Sequence, residues 1–187
     1  MGLDDAKTYR MQEATKLIAR VLPLTNWGFR QSAQYFDNHT HPTMIYDSES
    51  CRVKILYEAV GRYEDHSMMI HYGKLGISDH AGIIVFTSLP SQYPMLWHNV
   101  FYVVNFLDGL SPQEAKIQKH ARLVHEFEKS NVSKEIKYEP EKDLVFHRWV
   151  WETYGQKLFS IFDVRQKELW EQYSAFVKDY WKLLTQP

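Results

Sequence analysis

Ser50-Cys51-Arg52-Val53-Lys54-Ile55-Leu56-Tyr57-Glu58, residues 50–58, alternates apolar and polar side chains along most of its length. Successive side chains of a strand point to opposite faces, so Cys51, Val53, Ile55 and Tyr57 share one face. Arg52, Lys54 and Glu58 share the other face with Leu56. The pattern predicts a strand in a sheet with one buried and one wetter face. The same texture extends outward from Trp27 to about Thr87 and predicts further strands at about 28–37, 43–47, 67–75 and 82–87. Their connections carry turn residues: Pro42, Asp47-Ser48-Glu49, Gly61 with Glu64-Asp65, and Gly76 with Ser78-Asp79. Connections this short join antiparallel neighbours.

Helices are expected on either side of this β-rich part. Ala6, Tyr9, Met11, Ala14, Leu17, Ile18 and Val21 recur at helical spacing between an Asp4 or Asp5 cap and Pro23. Residues 81–107 contain no Asp, Glu, Lys or Arg. Pro90 and Pro94 divide that stretch into a strand and a helix over about 95–108, apolar nearly all round, suited to the centre of a core or to a dimer seam. Gly109 is placed to close this helix in the left-handed conformation. Ser111-Pro112-Gln113-Glu114 is a capping box with proline at the first helical position. It predicts a helix to about Ser130 with Ile117, Ala121, Val124 and Phe127 as its inner stripe. Asp163 with Gln166 is a second capping-box candidate and opens a final helix over about 164–184.

Between these helices, Val145, His147, Trp149 and Trp151 alternate with Phe146, Arg148, Val150 and Glu152, and Tyr154-Gly155-Gln156 resembles a turn. This predicts a β-hairpin at about 144–162. The expected fold is therefore a single α+β domain over residues 1–187: an N-terminal helix (1–22), a β-rich part (26–87), and helices with the hairpin (95–187). Its antiparallel sheet holds about five to seven strands and packs against three further helices.

The 187 residues carry a formal net charge of −1, with charges of both signs spread along the chain. That balance argues against a strongly basic nucleic-acid binder or a polybasic membrane-surface protein. No stretch reaches the roughly 18 apolar residues a membrane-spanning helix requires. The N-terminus, Met1-Gly2-Leu3-Asp4-Asp5-Ala6, has neither a signal-peptide nor a myristoylation pattern. The single cysteine, Cys51, lies in the apolar register of the strand and reads as a small buried hydrophobe in a reducing, cytoplasmic setting.

Nucleophile and phosphate-loop signatures are absent from the sequence. The sharpest chemical cluster is Asp37-Asn38-His39-Thr40-His41. In one extended strand, Asp37, His39 and His41 project to a common face, and two imidazoles with a carboxylate are legitimate ligands for zinc or another divalent metal. His66 or His71 could complete the shell, and Glu58 or Asp65 could act as base toward a metal-bound water. Asp, Asn and Pro are also turn residues, so a plain polar loop explains the same stretch. His98, on the apolar helix, is expected to be buried and hydrogen-bonded to backbone.

Aromatic residues form 15% of the chain, with 6 Trp, 12 Tyr and 10 Phe. They suit a core first, a subunit interface second and a pocket for an apolar or aromatic ligand third. The functional expectation is a non-enzymatic binding or protein-interaction module with an aromatic-rich pocket or interface between sheet and helices. Its candidate partners are a small ligand, a partner chain or a second copy of itself. The alternative is a metal-binding protein or metal-assisted hydrolase built on Asp37, His39 and His41.

Overall fold

The computed structural model describes residues 3–37, 41–60, 65–75, 97–118, 121–137 and 141–185. Its centre is a five-stranded antiparallel sheet of β1 (Arg30–Asp37), β2 (His41–Asp47), β3 (Arg52–Val60), β4 (Asp65–Gly73) and β5 (His98–Asn99), in spatial order β1-β2-β3-β4-β5. Every strand pairs with its sequence neighbour. Helix α1 (Leu3–Val21) precedes the sheet, with a short 3-10 turn at Leu24–Trp27 between them. After β5 come α2 (Val100–Leu107), α3 (Pro112–Gln118), α4 (Ala121–Lys129), α5 (Lys142–Tyr154), α6 (Gln156–Ser160) and α7 (Lys167–Thr185). This is the expected α+β architecture. The predicted strand at 82–87 lies outside the described residues.

The alternation in β3 sets the register of the whole sheet. Met44, Ile55 and Ile70 pair in one row across β2, β3 and β4, and Tyr46, Val53, Tyr72 and His98 form the next row on the same face. This inner face meets Ala14, Leu17, Ile18 and Val21 of α1, and the buried stripes of α2, α5 and α7, in one continuous apolar cluster. Cys51 is fully buried in it. Aromatic rings fill the layer between sheet and helices: Phe29 stacks on Trp151 at 5.6 Å and meets Phe159 edge-on at 5.1 Å. Tyr72 stacks on Phe162 at 6.1 Å. Such pairs add about 0.5–1.5 kcal/mol each beyond their area burial.

Several expectations are corrected. The hairpin at 144–162 is helical, formed by α5 and α6. Leu144, His147 and Trp151 are buried at steps of three and four, a helical stripe that the β-branched and aromatic composition obscured. Tertiary burial of that stripe outweighs the weak strand preference of its residues. The helix expected over 95–108 begins only at Val100, because His98 and Asn99 pair with β4, and the Asn99 side chain caps α2 by accepting the Phe101 N–H at 2.9 Å.

The helix expected over 111–130 comprises α3 and α4, and its inner face is Ala115, Leu123 and Phe127. Ile117 and Val124, assigned to that face from the sequence, are 76% and 36% exposed. Finally, the second sheet face is not the wetter one, since Thr43, Ile45, Lys54 and Leu56 are all buried there.

The local signals fare better at element ends. Ser111 Oγ accepts the Glu114 N–H at 3.3 Å while the Glu114 carboxylate accepts the Ser111 N–H at 2.8 Å, closing the capping box. Gly109 follows α2 with φ of 71°. Asp163 departs from its expected role: its carboxylate accepts the Arg165 N–H at 2.9 Å and pairs with the Arg165 guanidinium, and α7 starts at Lys167. Arg20 of α1 reaches the buried Glu141 at 2.6 Å, and the other Glu141 oxygen accepts the Lys137 N–H at 3.0 Å, so the entry to α5 is tied to α1.

Candidate functional site

Two polar groupings sit inside this fold, one on each face of the sheet. On the inner face, β4 presents Tyr72 toward α5. The Trp151 indole N–H donates to the Tyr72 hydroxyl oxygen at 2.7 Å, and the same hydroxyl lies 2.8 Å from His147 Nδ1. An indole is a donor only, so the arrangement that satisfies all three groups has the Tyr72 proton pointing at an unprotonated Nδ1, with the imidazole proton on Nε2. Burial, and then the charge of His71, push His147 down to about 3, so it is neutral at physiological pH. Burial likewise holds the Tyr72 hydroxyl well above its ordinary value.

A parallel pair lies one strand away. His98, the cross-strand partner of Tyr72, has its Nδ1 2.9 Å from the Tyr173 hydroxyl. Tyr173, a side chain on α7, is thus a hydrogen-bond partner of His98 that the sequence did not anticipate. Phe162 packs against both groups, 6.1 Å from Tyr72 and 5.6 Å from His98. The Tyr72, Trp151 and His147 group is sealed among rings, so its chemistry is that of satisfied core polar groups.

The outer face is different. Ala33, Ile45, Lys54, His71 and Asn99 form one row across all five strands. Trp97, immediately before β5, packs on Ile45 together with half-buried Ala33 and Tyr35. The Lys54 ammonium stands 4.8 Å from the centroid of the Trp97 ring, a cation–π contact. Lys54 is only 5% exposed and Trp97 only 2%, yet the Trp97 indole nitrogen has no hydrogen-bond partner. A buried, unmade hydrogen bond costs about 1–3 kcal/mol. Burial and the Lys54 charge push the half-buried His71 down to about 4, so this imidazole is also neutral near pH 7. The row therefore combines an ammonium, an indole N–H and an uncharged imidazole beside the buried Thr43, Ile45 and Leu56.

The sequence-derived metal cluster is placed only in part. β1 ends at Asp37 and β2 begins at His41, and these two residues are cross-strand partners instead of neighbours along a single strand. His39 lies outside the described residues. His41 is half-buried and its Nδ1 has no hydrogen-bond partner. His71 pairs in the Ile45 row, four residues along β2 from His41, which is about 13 Å at the rise of a strand, so it does not join His41. Glu58, Asp65 and His66 are placed by backbone register only, opposite Ser67, Val60 and Ala59. Among the described residues no group of three or more His, Cys, Asp or Glu side chains is disposed to hold a metal ion.

Sequence reasoning missed Lys54 as a buried cation and Tyr72 and His147 as a hydrogen-bonded pair. No local signal marks Lys54, because strand side chains project from the sheet and what covers that face is decided by tertiary packing. Nothing local marks Tyr72 and His147, which are 75 residues apart.

Two surface cavities lie elsewhere among the described residues. One, of about 340 Å³, lies between α3 and α7 beside Pro112, Asp179 and Lys182. The other, of about 140 Å³, is lined by Arg20, Glu135, Glu141 and Arg148. Neither is lined by the aromatic core or by the Trp97 row. No helix among the described residues is long and apolar enough to cross a membrane. Comparison with protein-family models, with curated proteins and with solved structures finds no match for this chain.

Proposed function

We propose that this chain is a non-enzymatic binding module whose recognition face is the outer face of the sheet around Trp97. The observation that carries the reading is the buried indole N–H of Trp97 with no partner, set over the Lys54 ammonium in an apolar surround. Binding sites are typically apolar surfaces with a few placed polar groups, and this row has that composition. The inner aromatic layer has a different use, since its rings pack on one another. Cys51, buried and with its thiol pushed up by burial, suits the reducing cytoplasmic setting we assign to the chain.

Native mass spectrometry of gently purified protein tests the proposal. A non-covalent adduct, either a small molecule or a second copy, is expected on the wild type and at lower occupancy on Trp97→Phe, which keeps the ring and removes the N–H. Bare monomer in both proteins would overturn it.

One observation favours the second reading, a metal site at the end of the β1–β2 hairpin: His41 Nδ1 is buried without a partner, opposite Asp37 in register. Elemental analysis decides it. Stoichiometric zinc or another divalent ion that disappears in His39→Ala/His41→Ala supports a metal centre, and metal-free wild type removes it.

A further inference from the structure

β1 is the first strand of the sheet in space as well as in sequence. Among the described residues it pairs with β2 on one side and with no strand on the other. Its outward backbone groups are therefore open to a further strand. Neither Lys nor Pro guards this edge, and its charged residues stand only at its two ends, Arg30 and Asp37. Arg30, Gln31, Ser32 and Gln34 are exposed.

A bulge sets the faces of this strand. Arg30 and Gln31 pair with Asp47 and Tyr46, whereas Ala33 pairs with Ile45, so Ser32 is the extra residue. In an unbroken strand Arg30 and Asp37 would lie on opposite faces. The extra residue brings Arg30 onto the outer face with Ala33, Tyr35 and Asp37. Gln31 and Gln34 come to the inner face together, and their side-chain amides hydrogen-bond at 2.8 Å.

Two copies that meet edge to edge about a two-fold axis normal to the sheet pair antiparallel and keep like faces together. With the axis at Gln34, that residue faces its own copy, and Ala33 falls opposite Tyr35, Gln31 opposite Phe36 and Arg30 opposite Asp37. Each Ser32 is then bulged against the regular half of the other copy, as it is against β2. Unlike charges thus close both ends of the seam, a match that depends on the bulge. Within its own chain Arg30 lies opposite Asp47, whose carboxylate already holds Arg52 at 2.7 Å. An unrelated strand would meet the edge without the two matched charges.

From this self-complementarity we infer that a second copy of the chain docks along β1, joining two five-stranded sheets into one through an antiparallel seam centred on Gln34. The seam lies at the sheet edge and does not depend on the Trp97 reading.

Sedimentation of the full chain from micromolar to near-millimolar concentration tests the inference, and a reversible dimer is expected. Arg30→Glu and Asp37→Arg should each weaken it by about tenfold or more, since each sets like charges opposite one another at both ends. Mixing the two variants should restore the dimer, because each then supplies the charge the other lacks. Gln34→Cys should form a covalent dimer under oxidised glutathione, and Gln31→Cys, distant from its own copy in this register, should not. Cys51 is buried and does not compete. Thermal melting confirms that the variants are folded.

Monomer at every concentration overturns the inference. So does a dimer that survives both charge changes, or one that the mixture fails to restore. A dimer weakened by Trp97→Phe and indifferent to the charge changes belongs to the face around Trp97, which overturns the β1 seam and leaves the binding-module reading standing.

Discussion

Replacing Tyr72 by Phe removes one oxygen atom from the centre of the protein and strands two buried groups. The Trp151 N–H loses its acceptor at 2.7 Å, and His147 Nδ1 loses its donor at 2.8 Å. Tyr72 and Trp151 are fully buried and His147 is nearly so, so water cannot simply take the vacated place. The ring itself is unchanged, and its stacking on Phe162 persists. The loss is therefore mainly hydrogen-bond desolvation, about 1–3 kcal/mol for each stranded group, or roughly 2–6 kcal/mol together. Tyr173→Phe serves as the internal comparison, because it strands His98 Nδ1 at a single hydrogen bond and should cost about 1–3 kcal/mol.

Urea denaturation at pH 7.5 measures both. The double change Tyr72→Phe/His147→Leu should recover part of the loss, since an apolar pair leaves no imidazole nitrogen unsatisfied. If Tyr72→Phe falls within about 0.5 kcal/mol of wild type, the range of ordinary surface substitutions, the network is not what the geometry implies.

Acid should destabilise the fold in a defined window. His147 and His71 have folded-state values near 3 and 4, below the 6.5 of an exposed imidazole. Between those limits the unfolded chain binds more protons than the folded one, so stability is complete above about pH 7 and declines as pH falls from 6.5 toward 4. The loss approaches about 1.4 kcal/mol per pH unit for each histidine fully titrated in the unfolded chain alone. His147→Gln, which keeps an acceptor for Tyr72, should flatten this slope by about one proton in denaturation curves compared at pH 7 and pH 5; an unchanged slope refutes the assignment. At the start of α3, Ser111→Ala should lower stability by about 1 kcal/mol by opening the capping box, and an unaltered urea midpoint would contradict the role given to it.

The strength of the local signals tracks how locally each feature is decided. Cys51, Val53, Ile55 and Tyr57 announce the inner face of β3 because a strand repeats every two residues, whatever it packs against. Ser111 with Glu114, and Gly109, mark helix ends because caps are settled by neighbouring backbone groups. The 144–154 segment misled because aromatic and β-branched residues fit both periods over so short a span. Only burial of Leu144, His147 and Trp151 against the sheet selects the helix.

What the chain's own sequence determined is thus the α+β class, the antiparallel order of the first four strands, the first and last helices and the burial of Cys51. Each follows from periodicity or turn chemistry within a few residues. Tertiary structure alone decided that Lys54 is buried under Trp97, that Tyr72 joins Trp151 to His147, and that Asp37 faces His41 across a hairpin in register. Those pairings depend on where distant strands and helices come to rest, and a side chain's partner at that range is set by packing that no local pattern encodes.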